Sequence, residues 1–62
     1  MIVSAKIAGF QFETVLDLFF LDNPKWADSK EFIERELRIY GEAVCWRSPD
    51  FDVKCVLTLI KE

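Results

Sequence analysis

Two thiols and one awkwardly placed carboxylate are the side chains of this 62-residue chain best suited to chemistry. Cys45 and Cys55 would be nucleophiles only as thiolates, which need a neighbouring base or a lowered pKa. No histidine is present to act as base, and the nearest cations are Arg47 on the same strand and Lys54 across the expected strand pair. The plainer reading is two small hydrophobes in strands. Two cysteines without histidine also cannot complete a tetrahedral metal site. Glu36 projects among Phe32, Ile33, Ile39 and Tyr40, inside the apolar arc of a helix. Such a carboxylate is either desolvated and functional or lies at the border of the arc and reaches solvent or a basic group; we favour the second reading.

Other candidates read less sharply. Asp17 interrupts an apolar strand face between Val15 and Phe19; a charge there either discourages edge-to-edge aggregation or makes a polar contact inside an interface. Asp22, Asp28, Asp50 and Asp52 are scattered and do not match the ligand spacing of a calcium loop. Trp26 and Trp46 could stack a nucleobase, but tryptophan is also a common interface anchor. The chain carries eight Lys and Arg against eleven Asp and Glu, for a net charge of −3. With no basic cluster to neutralise phosphates, neither nucleic acid nor an anionic membrane is an expected partner. No catalytic residue, cofactor site or metal site is expected, and the chain reads as non-enzymatic.

These residues need a scaffold. Residues 2–8 alternate, with Val3, Ala5 and Ile7 on the apolar side, and read as a strand. Gly9 then allows a turn or bulge. Residues 10–21 fit two templates. As a strand they place Val15, Asp17, Phe19 and Leu21 on one face; as a helix, Phe12, Val15, Leu16, Phe19 and Phe20 form a stripe. Phe, Val and Thr content and the lack of an N-cap before Phe12 favour the strand. Asp22-Asn23-Pro24 ends the segment.

A helix follows from about Ser29 to Tyr40, with Asp28 as N-cap, Glu31 completing a capping box, and Gly41 as the left-handed terminator. Glu31–Arg35 and Glu34–Arg38 mark its solvated side. Two apolar seams lie opposite, Ile33–Leu37–Tyr40 and Phe32–Ile39, one for the sheet and one for its border or a partner. The last third reads as a hairpin turning at Ser48-Pro49-Asp50-Phe51. With Pro49 and Asp50 central, Trp46 faces Val53, Val44 faces Cys55 and Cys45 faces Lys54, so the two thiols point to opposite faces and form no disulfide. A one-residue slip would set Cys45 opposite Cys55 instead; the first register is preferred because it gathers Val44, Trp46, Val53, Cys55, Leu57 and Leu59 on one face.

The expected architecture is α+β, one domain over residues 1–62, with an antiparallel sheet of three or four strands and one helix across a face. The order is β-β-α-β-β, or β-α-α-β-β if residues 12–21 are helical. The N-terminus lacks a basic stretch followed by an apolar core, and no apolar run approaches the roughly 18 residues that span a bilayer. A cytoplasmic protein with reduced thiols is expected. At this length folding buries only about 60% of the unfolded chain's surface. The chain is 52% hydrophobic, and one helix cannot shield a sheet that is apolar on both faces. The sequence therefore points to a homodimer that also binds another protein, as a regulator, inhibitor or accessory subunit. Val15, Phe19, Leu21, Trp26, Phe32 and Ile39 are the interface candidates. The competing reading is a small-molecule site or minimal enzyme, with a pocket between helix and sheet near Glu36, Trp46 and Tyr40.

Overall fold

The computed structural model describes residues 1–24, 29–47 and 53–62, the side chains of Trp46 and Arg47 apart. The chain runs β1 (Ile2–Ile7), β2 (Phe10–Val15), α1 (Leu16–Asp22), α2 (Lys30–Tyr40), β3 (Glu42–Arg47) and β4 (Lys54–Lys61). The α+β class holds, with four strands, but two helices rather than one cover the sheet. Strand order is β2-β1-β4-β3, and every neighbouring pair is antiparallel. The first and last strands are therefore central, and β2 and β3 form the edges.

The β1–β2 hairpin closes through Ala8 and Gly9, with Ile7 paired to Phe10. Both turn residues have positive φ, 49° and 84°. That is the type I′ geometry whose twist matches two-residue hairpins. Gly9 adopts it freely, whereas Ala8 does so against the steric preference of an L-residue.

Residues 10–21 resolve into both templates in succession. Alternation persists to Val15, which is still extended at φ −78° and ψ 136°. The helical stripe Leu16, Phe19 and Phe20 then takes over and is buried. The expected strand through residue 21 is thus corrected. Phe19 is 2% exposed, packed in the core rather than placed on an outer sheet face. The start of α1 is held from a distance, by the Leu16 N–H donating to Met1 O at 2.9 Å. Its end is closed by Asn23, whose N–H and Nδ2 both donate to Phe19 O, at 3.0 and 2.8 Å.

Helix α2 matches its expected span to within a residue, with Ser29 at the N-cap position; Asp28 lies outside the described residues. Gly41 terminates it at φ 79°, its N–H donating to Leu37 O at 2.9 Å. The Gly41 carbonyl in turn accepts from Leu59 N–H at 2.8 Å, which fastens the helix end to β4. Ile33 and Leu37 are buried against Val3, Ala5, Ala43, Cys55 and Leu57 of the sheet, with Leu16, Phe19 and Phe20 of α1 completing the core. The opposite sheet face carries Ser4, Lys6, Gln11, Glu13, Thr58 and Val56, paired across β1, β2 and β4. Buried Ser4 there accepts a 2.8 Å hydrogen bond from Gln11 Nε2.

The β3–β4 register differs from expectation. Val44 faces Val56 rather than Cys55, and Trp46 faces Cys55 rather than Val53. The register shifts between Val44 and Trp46, where Cys45 is the extra residue of a β-bulge. Pairing begins at Arg47 and Lys54, and the expected turn at 48–51 lies outside the described residues.

Candidate functional site

The residues with chemical potential gather on the half of the molecule formed by α2, β3 and β4. Between α2 and the outer strand β3 runs an open groove of about 360 Å3. Phe32, Glu36 and Tyr40 of α2 line one side, and Glu42 and Val44 of β3 the other, with Val56 behind. Helical periodicity explains the first three: they recur every four residues, so they stack along one flank of α2. Ile33 and Leu37, one position on, turn into the core. Tyr40 belongs by periodicity to that buried seam but sits in the last turn and is 71% exposed. Phe32 and Val44 are also exposed.

Glu36 is half-buried and lines this groove. The groove opens between helix and sheet beside Glu36 and Tyr40, two of the three residues named for the competing pocket. Trp46, the other residue expected there, has no described side chain. The groove offers two aromatic rings, a valine pair and two carboxylates. Among the described residues no ion pair joins Arg35 to Glu31; the Arg35 guanidinium lies 5.7 Å from the centre of the Phe32 ring. Arg38 pairs with Glu34 at 3.9 Å and with Glu62 at 3.2 Å.

The remaining interface candidates disperse. Val15 is exposed at the end of β2, Leu21 is 74% exposed on α1, and Ile39 is exposed on α2. Trp26 lies outside the described residues. A second aromatic pair, Phe10 and Phe12 on β2 with ring centres 6.4 Å apart, is exposed as well. Their period-two spacing is the signal that could have singled them out; they pair with Ile7 and Ala5 of β1.

Asp17 is not a strand residue. It occupies the first turn of α1, where a carboxylate suits the helix dipole, and its Oδ1 lies 2.9 Å from Lys30 Nζ in the first turn of α2. That hydrogen bond and the attraction behind it hold Asp17 below its ordinary range and raise Lys30. Both groups are exposed, so the pair orients the helices more than it stabilises them.

The bulge overturns the expected separation of the thiols. Cys45 packs half-buried against the core, and Cys55 is fully buried within it. Both are free thiols. Hydrogen bonding to Cys55, then burial, pushes the Cys45 thiol up, and the same bond holds Cys55 down. Among the described residues no cluster of three or more His, Cys, Asp or Glu is placed to hold a metal ion. No described helix is long and apolar enough to cross a membrane. No family model, curated protein or solved structure matches the chain.

Proposed function

We propose that this chain is a non-enzymatic protein-interaction module of the cytoplasm. It self-associates through the α2–β3 flank and serves a larger protein as regulator, inhibitor or accessory subunit. The observation that carries this reading is the groove itself: exposed Phe32, Tyr40 and Val44 lie beside an outer strand. An edge strand presents a row of N–H and C=O groups to any chain that can pair with them. Aromatic side chains flanking such an edge add the desolvated anchors that concentrate binding energy in interfaces. Strand addition at β3 would satisfy the backbone while Phe32 and Tyr40 close over the incoming segment.

Light scattering across micromolar concentrations tests this. The expected mass is about twice the 7.3 kDa of the chain. A Phe32→Ser/Tyr40→Ser variant should run at the single-chain mass with an unchanged circular dichroism spectrum. A wild-type monomer throughout that range defeats self-association, and a double variant that stays dimeric defeats the choice of surface.

A further inference from the structure

We propose that Cys45 and Cys55 form a modification site, a dithiol that a small hydroperoxide oxidises to an intramolecular disulfide clipping the outer strand β3 to β4. The argument starts from the bulge. Cys45 and Trp46 together oppose the single residue Cys55. In a plain antiparallel pair opposed Cα atoms are about 4.5–5.5 Å apart, within the reach of a disulfide. A bulge also turns its extra side chain away from strict alternation. Cys45 accordingly packs against the same core that holds Cys55, instead of facing away from it.

The two thiols differ in access, which sets the order of events. Cys45 is half-buried and Cys55 has no exposed surface. Oxidation therefore begins at Cys45. Its Sγ attacks one peroxide oxygen, the O–O bond breaks, and the alcohol (water, for hydrogen peroxide) departs, leaving a sulfenic acid. Cys55 Sγ then attacks Cys45 Sγ; the S–O bond breaks and water leaves with the Cys55 proton. Together the thiols lose two electrons, and the hydroperoxide becomes alcohol and water. A Cys45 thiol pushed up in pKa makes the first step slow, because the thiolate is the nucleophile. The held-down Cys55 suits the second. A reducing compartment returns the pair to the dithiol. The proposal does not depend on self-association, but β3 is the strand whose outer edge the proposed function uses, so the clip would stiffen that edge.

The test uses the full chain and hydrogen peroxide. Trypsin cuts after Arg38, Arg47, Lys54 and Lys61, so residues 39–47 and 55–61 become separate peptides unless sulfur joins them. After peroxide treatment the intact mass should fall by two hydrogens and the two peptides should run as one species that dithiothreitol splits. The thermal midpoint should rise by roughly 10–20 °C, as closing a short loop implies. Cys45→Ser should show neither change, and the oxidised and reduced wild-type chains provide the comparison should that variant fold poorly. Sulfinic or sulfonic acids on separate peptides, or a disulfide between two chains on a non-reducing gel, would overturn the proposal.

Discussion

Phe19→Ala and Leu21→Ala make a paired experiment on the segment that two templates fit. In a strand the two side chains share a face and should respond alike. In α1 they diverge: Phe19 is 2% exposed with its ring edge-on to Phe20 at 5.7 Å, whereas Leu21 is 74% exposed. Truncating a buried phenylalanine removes its transfer energy and leaves a cavity, about 3–5 kcal/mol in all. Scaled by length, a domain of this size has roughly 3–9 kcal/mol of total stability. Phe19→Ala should therefore lower the thermal midpoint by roughly 15–30 °C or leave the chain largely unfolded at room temperature. Leu21→Ala should stay within about 0.5 kcal/mol of wild type. Urea titration followed by circular dichroism, at two protein concentrations to separate folding from association, reads both. Equal losses for the two variants, or less than about 1 kcal/mol for Phe19→Ala, would refute the helical placement of residues 16–22.

Three further outcomes follow from local geometry. Ala8→Asn should stabilise the chain by about 0.5–1 kcal/mol in the same titration, because Asn-Gly suits a type I′ turn in which alanine is strained. Gly41→Ala should cost about 1 kcal/mol through φ 79° alone, since an added Cβ meets nothing within 4 Å. Asp17→Asn should lower the thermal midpoint slightly near neutral pH, and less in high salt. The sign of its pH dependence is set by both partners. The Asp17 contribution is present above its ordinary 3.8 and lost as pH falls through its lowered pKa. The Lys30 contribution is present below its ordinary 10.5 and lost as pH rises through its raised pKa. Wild type and variant should converge at both extremes; a gap that persists once Asp17 is protonated would place the effect outside the ion pair.

The elements that carry their own start and stop signals were legible. Helix α2 has acids leading bases, a buried Ile33–Leu37 seam and a glycine terminator, and its observed span follows. The first strand and the turn at Gly9 were equally plain. Misreadings arose where a distant contact decides. Nothing near Val15 announces a helix, and the first free N–H of α1 is satisfied by Met1 O, fourteen residues upstream of Val15. The β3–β4 register hangs on a bulge at Cys45, which local propensity does not encode. That one extra residue also decides whether the thiols meet. Arg35 had two partners at helical spacing, Glu31 and Phe32, and spacing alone could not choose between them.

The surplus of apolar surface is real, but it lies elsewhere than expected, and element lengths explain why. The face away from the helices alternates Ile2, Val15, Val56 and Ile60 with Ser4, Lys6, Gln11, Glu13 and Thr58, a mixture that water tolerates. Helix α1, seven residues long, rises about 10 Å, while the six residues of β2 extend about 20 Å. Even folded straight back along its strand, α1 cannot reach the far end of β2, where Phe10 is 71% exposed. Helix α2 is longer, but it spends Ile33 and Leu37 on the core, which leaves Phe32 and Tyr40 on the flank beside the β3 edge. What remains uncovered is thus the two borders of the helical layer, one beside each outer strand. Of these, the α2–β3 border joins an apolar groove to a strand edge and a pair of thiols, so association and oxidation would act on the same strand.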